Sequence, residues 1–334
     1  GLLWLALNAI FERILKITRP LKMSVQIAAG ILVFANTAEL LSNLSVNALP
    51  ATISFGVYAL FFAAYAAYRK EPLLGYLSTA YFPVSILAFL SYQDQDRWLF
   101  PLIIVAVLYY GGRFLSKHAK WQAMLERSSL ILSTLVAFSA PFEDSGLMVS
   151  IPVAITATLY AIHAFRKKNI WLGFPANAFY LMAYFMILLG FEVDQPQFFT
   201  VVAAALGILM HYLLVRSGSK TAAFITGMLS QLVLLSTTYF QLVSEEQFIY
   251  FVVLFFQAIA VLIYGIVIRS KSLVITPIVF LVVSVITVTF GLLEGWPTIF
   301  LIGCTGVFLI AFGIGALLLR EKAVSLREKL ERDR

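Results

Sequence analysis

Long apolar stretches separated by short charged connectors run through almost the whole chain, and the sign of the connectors alternates. Cutting the sequence at its charges leaves twelve stretches: Met23–Leu41 (interrupted by Glu39), Pro50–Tyr68, Leu73–Tyr92, Trp98–Gly112, Ser128–Phe142, Ser145–Phe165, Asn169–Phe191, Gln195–Val215, Thr221–Ser244, Gln247–Ile268, Ser272–Leu293 and Gly295–Leu319. A helix crossing the roughly 30 Å hydrocarbon core of a bilayer needs about 20 apolar residues, so these stretches read as membrane crossings. A water-soluble alternative fails on its surface. The chain is 61% hydrophobic and 12% charged, whereas soluble domains carry roughly a quarter charged residues, and the uncovered apolar area needs lipid as its solvent.

The connectors predict an orientation. One set is basic: Arg13, Lys16, Arg19 and Lys22; Arg69 and Lys70; Arg113, Lys117, Lys120 and Arg127; Arg166, Lys167 and Lys168; Arg216 and Lys220; Arg269 and Lys271; and the tail from Arg320 to Arg334. The other is neutral or acidic: the stretch around Asn43 and Asn47, then Asp94/Asp96, Glu143/Asp144, Glu192/Asp194, Glu245/Glu246 and Glu294. Of the 24 Lys and Arg residues, 23 fall in the first set, with Arg97 the exception, so by the positive-inside rule that set is cytoplasmic and so are both ends of the chain. The net charge of +7 thus belongs to topology and not to a nucleic-acid face. Two stretches, Trp98–Gly112 and Ser128–Phe142, have only 15 uncharged residues each. Buried or re-entrant segments are the alternative, but the alternating charge favours full crossings, extended by snorkelling of Arg97, Arg113 and Arg127.

An internal period organises the twelve stretches. Arg13, Arg113, Arg216 and Arg320 are spaced by 100, 103 and 104 residues; Arg69, Arg166 and Arg269 by 97 and 103. Gly75–Phe82 (GYLSTAYF) aligns with Gly173–Tyr180 (GFPANAFY), prolines recur in the third helices at Pro83, Pro175 and Pro277, and others open the fourth at Pro101, Pro196 and Pro297. The expected fold is therefore all-α and polytopic, about twelve transmembrane helices in three parallel four-helix repeats. Residues 23–113, 114–216 and 217–320 form the repeats, flanked by a preceding segment, 1–22, and a charged helix, 321–334. Each repeat has an even number of spans, so the repeats are parallel, unlike the inverted repeats of many secondary transporters. Because the chain starts with Gly, residues 1–22 read as the tail of a helix from a longer array, an interfacial amphipathic helix being the alternative. The helix 321–334 reads as a solvated cap, with a protein partner bound through it as the alternative.

Tyr65, Tyr68, Tyr109, Tyr110, Tyr160, Tyr212 and Tyr264, each within six residues of an arginine, read as an interfacial aromatic belt. An ionisable group at bilayer depth is costly and a functional candidate by default, and only Glu39 fits that description, with Asn36 within one helical turn. Glu39 would hold a proton or cation or bond a substrate; alternatively Asn36 and nearby backbone cap it. The embedded amides Asn177 and Gln257 complete the substrate or ion candidates, with Gln231 beside them, although such amides more often bridge helices. His163 and His211 read as interfacial packing, and Gly303, Gly306, Gly313 and Gly315 as a close-packing face. The lone Cys304 has no disulfide partner within the chain. No HExxH, GxSxG, Walker A or dinucleotide motif is present, and no outer connector is long enough to hold an acceptor, so neither an enzyme nor a cofactor or metal is expected.

Tandem four-span units with very short loops, arginine-closed helices and an arginine-rich C-terminal helix resemble the large bacterial multi-spanning membrane proteins grouped as domains of unknown function. The resemblance implies a bacterial cytoplasmic membrane location and carries no site residues. Membrane lipids are the expected partners, with no nucleic acid. The expected function is a carrier or flippase for a lipid-like or apolar substrate, a non-transporting scaffold or assembly factor being the alternative. Whether the polar candidates converge on one cavity or scatter into separate helix contacts separates the two.

Overall fold

The computed structural model describes residues 2, 19–43, 47–95, 97–143, 146–268 and 270–289. Expectations about residues 3–18, Glu294, Pro297, Cys304, the glycines of the last apolar stretch and the charged helix 321–334 lie outside the described residues.

The described residues form eleven α-helices and no strand. They are α1 (Arg19–Ser42), α2 (Ala48–Arg69), α3 (Pro72–Tyr92), α4 (Leu99–Gly112), α5 (Ala119–Ser139), α6 (Leu147–Lys167), α7 (Gly173–Gly190), α8 (Pro196–Arg216), α9 (Lys220–Glu245), α10 (Phe248–Ile268) and α11 (Lys271–Thr287), with single 3-10 turns at Ala140–Phe142 and Ile170–Leu172. Eight segments, those of α2, α3 and α5 to α10, are long and apolar enough to cross a membrane. The apolar parts of α1, α4 and α11 are shorter, Gln26–Ser42, Leu99–Gly112 and Leu273–Thr287. Large apolar side chains such as Phe34, Leu60, Leu73 and Leu108 stand exposed on the helices, an arrangement stable only when the surroundings are themselves apolar.

Helix ends follow local chemistry. Pro72 and Pro196 occupy first-turn positions, where the missing N–H costs nothing, behind extended Glu71 and Gln195. Lys70, Asp94, Lys168 and Glu192 take left-handed backbone (φ 57°, 48°, 50° and 54°) and reverse the chain directly after a helix.

The chain divides into two compact units, Gly1–Ile162 and His163–Arg334, split within α6. In the first, α2 buries Ala48, Ala51, Phe55, Ala59, Phe62 and Ala66 at helical spacing, and the small residues let α3 approach closely. In the second, Leu235, Leu242, Leu254, Ala258 and Leu281 join α9, α10 and α11.

Three expectations change. The short stretch Ser128–Phe142 is part of a 24-residue segment, Ala119–Phe142. Its charged beginning is helical, with Lys120 exposed and Glu126 buried and paired. Arg113 does not snorkel: it is 2% exposed and its Nη1 donates to Glu126 Oε1. Nor do the tyrosines form a uniform belt. Tyr68 and Tyr212 are exposed, but Tyr65 and Tyr110 are buried, Tyr109 bonds the Thr79 carbonyl, Tyr160 bonds Thr134, and Tyr264 bonds His211 at 2.8 Å. Six residues is more than one helical turn, enough to carry a ring from the interface into a helix contact.

Candidate functional site

A cavity of about 590 Å³ opens between α1, α2 and α3 in the first unit. Its walls are apolar and aromatic, from Phe34 of α1, Phe62 and Tyr65 of α2, and Leu74, Leu77 and Tyr81 of α3. Its mouth is polar, with Arg69 and Glu71 at the α2–α3 turn and Gln26 across on α1. From Glu71 to Tyr81 the wall runs ten residues of near-continuous helix, about 15 Å, or half the thickness of a hydrocarbon core.

The sequence shapes this space by leaving α1 a poor partner. Gly30 has no side chain to fill the gap, and a Cβ added there would meet nothing within 4 Å. The aromatic wall is braced from behind. Tyr81 stacks on Phe62 with centroids 5.8 Å apart and meets Tyr58 edge-on at 5.3 Å. Its hydroxyl lies 3.1 Å from Thr37 Oγ1, and Asn36 Nδ2 donates to the Tyr58 hydroxyl at 2.6 Å. At the mouth the Arg69 guanidinium sits over the Tyr65 ring, 5.5 Å from its centroid.

On the other face of α3 lies a second cavity of about 600 Å³, bounded by α4 and α5. It is almost wholly apolar, with Pro83, Leu87, Leu102 and Leu132 on its walls. α3 is thus the shared partition. Leu74, Leu77 and Tyr81 face the first space, and Tyr76, Ala80 and Pro83 the second.

The four polar candidates do not gather around either space. Asn36 acts through Tyr58. The Glu39 side chain is exposed, and its backbone carbonyl accepts from Ser42 Oγ and Asn43 Nδ2; Asn36 does not cap it. In the second unit, Gln257 Oε1 accepts from Thr238 Oγ1 across α9 and α10 at 2.8 Å. Asn177 is half-buried on α7, and its Nδ2 meets no acceptor among the described residues. His211 is buried, as packing predicts: Tyr264 bonds its Nδ1, and a Cβ on Gly227 would come within 2.6 Å of its ring.

Sequence reading missed the Arg113–Glu126 pair. Arg113 lies against the Tyr110 and Phe114 rings, 4.2 and 4.4 Å from their centroids, and its Nε and Nη2 meet no hydrogen-bond partner among the described residues. The available signal was Glu126 itself, the lone acid in a strongly basic connector. It also missed the cavity mouth, because Arg69 and Glu71 look like ordinary connector charges. No protein-family model, curated protein or solved structure matches the chain.

Proposed function

We propose that the protein is a carrier or flippase-like membrane protein for a lipid-like substrate, and that the α1–α2–α3 cavity receives it. The observation that carries this reading is the cavity's amphipathic build, with an aromatic and aliphatic interior one leaflet deep under a charged mouth. A lipid presents the same profile, and sites of this volume that are mostly apolar with a few polar groups are typical of small-molecule binding. Among the described residues the buried Lys, Arg, Asp and Glu side chains are Arg113 and Glu126, paired with each other, which fits lipid movement better than ion-coupled pumping. We read the protein as non-enzymatic and place it in a bacterial cytoplasmic membrane, with the basic turns, and hence the mouth, on the cytoplasmic side.

The same proposal takes the chain as twelve spans in three parallel four-helix sets. Two pairs of left-handed turns, Lys70 with Lys168 and Asp94 with Glu192, recur 98 residues apart. The Thr37–Tyr81 contact joins the first and third helices of one proposed set, as Tyr239–Thr287 does in another. One observation favours the scaffold instead: Asn36 and Gln257 each bond a neighbouring helix.

Reconstitution into vesicles carrying an acyl-labelled fluorescent phospholipid separates the two. A carrier exposes inner-leaflet label to an external quencher, and Gly30→Trp, whose Cβ meets nothing within 4 Å and whose indole adds bulk at the α1 wall of the cavity, slows that exposure, with thermal unfolding checking that the fold is kept. Protein-containing vesicles no faster than empty ones would leave the scaffold.

A further inference from the structure

Resting on the carrier reading, the charges at the mouth narrow the substrate class. The α2–α3 turn is built so that its flanking residues, and not its apex, line the cavity. Arg69 ends α2 and Glu71 precedes α3, and both line the cavity, while Lys70 between them is exposed and does not. The left-handed Lys70 closes the turn, with its own N–H donating to the Ala67 carbonyl at 3.3 Å and that of Glu71 to Ala66 at 3.1 Å. One cation and one anion are thereby fixed two residues apart on one rim, with the Gln26 amide opposite.

Turn geometry does not require the acid. The α6 end makes the same reversal at Lys168, where Lys168 N donates to Phe165 O and Asn169 N to Ala164 O, and Asn169 stands where Glu71 does. Glu71 is also exposed and ends its carboxylate in no ion pair among the described residues. A carboxylate placed at the mouth of an apolar cavity repels a purely anionic headgroup, and the neighbouring guanidinium repels a purely cationic one.

We infer that the cavity takes a phospholipid whose headgroup pairs a phosphate with a primary ammonium, a phosphoethanolamine lipid, with Arg69 at the phosphate and Glu71 at the ammonium. Guanidinium matches phosphate as a forked donor, and carboxylate accepts the N–H bonds of a primary ammonium. A phosphocholine keeps the charges but has no N–H to donate, and a phosphoglycerol has only the negative charge.

The test uses the full-length protein in nanodiscs and acyl-labelled lipids with identical chains and phosphoethanolamine, phosphocholine, phosphoglycerol or N-acetylated phosphoethanolamine headgroups. The phosphoethanolamine probe binds tightest, by about fivefold over the other three, the scale of one exposed charge-assisted contact. Glu71→Gln removes that preference, Glu71→Asp retains it, and Arg69→Gln weakens the phosphoethanolamine and phosphocholine probes together. Thermal unfolding of each variant checks the fold. Equal affinities, a preference for phosphoglycerol, or a preference that survives Glu71→Gln overturns the assignment. If the probes bind without headgroup preference and Gly30→Trp expels them, the headgroup assignment fails and the carrier reading stands. If no probe binds, both fail.

Discussion

The hydroxyl of Tyr109 donates to the carbonyl of Thr79 at 3.2 Å, which is the carbonyl that Pro83, four residues on and lacking an N–H, leaves without its helical partner. In hydrocarbon an orphaned carbonyl is expensive, and a neighbouring helix supplies the missing donor. Tyr109→Phe is therefore expected to destabilise the protein by about 1 kcal/mol. In a Pro83→Ala background, where the backbone donor is restored, the same change should cost clearly less. A double-mutant cycle by equilibrium unfolding in mixed micelles checks this, and additive losses would show that the two residues act independently.

Arg113 and Glu126 are 2% and 7% exposed, so removing one strands the other's charge. Glu126→Leu should cost about 3 kcal/mol of stability, and combining it with Arg113→Met should recover most of that. Unfolding midpoints of the two single variants and the double variant decide it. Two single losses that simply add would mean that the pair is not a unit.

Much of this fold was legible because the bilayer imposes one rule, that backbone groups be satisfied within each segment, and helices result wherever charge is absent. The first ten apolar stretches coincide with helices to within a few residues, except at the start of α5, and the eleventh does so as far as the described residues run. There the rule of cutting at charges failed, because Lys120, Glu126 and Arg127 lie inside the helix. Whether a charge faces lipid, water or a partner depends on a helix distant in sequence, and Glu126 finds its partner 13 residues back across a turn. The cavity was illegible for the same reason. Phe62 and Tyr81 carry no signal of their own within their apolar stretches, and only the stand-off of α1 at Gly30 turns their rings into a wall. Asn36 was singled out for its polarity, yet its bond to Tyr58 makes it a brace for that wall.

Lys168 sits at φ 50° and Lys167 within the last turn of α6, so glycine should act with opposite sign at the two neighbours. Lys168→Gly is expected to stabilise by several tenths of a kcal/mol to about 1 kcal/mol by relieving left-handed backbone strain. Lys167→Gly is expected to destabilise by up to about 1 kcal/mol, glycine's cost in a helix. Thermal melts of the two variants in one detergent suffice, and losses of equal size would contradict the turn geometry.

Gly265 of α10 lies against the carbonyl of Leu273, four residues before Pro277 and so deprived of its amide by that proline. A Cβ at Gly265 would come within 2.6 Å of this oxygen and 2.7 Å of its carbon. Both atoms are backbone and cannot rotate away, so Gly265→Ala forces α10 and α11 apart, at a cost of about 2 kcal/mol or more. Gly30→Ala and Gly111→Ala are the controls, because nothing lies within 4 Å of either added carbon. Alanine's helix propensity makes them neutral or stabilising by about 0.5 kcal/mol. The difference between Gly265 and the controls, measured as unfolding free energy in the same micelle, isolates the contact. If all three variants behave alike, the close approach of α10 to the carbonyl left free by Pro277 does not exist in the protein.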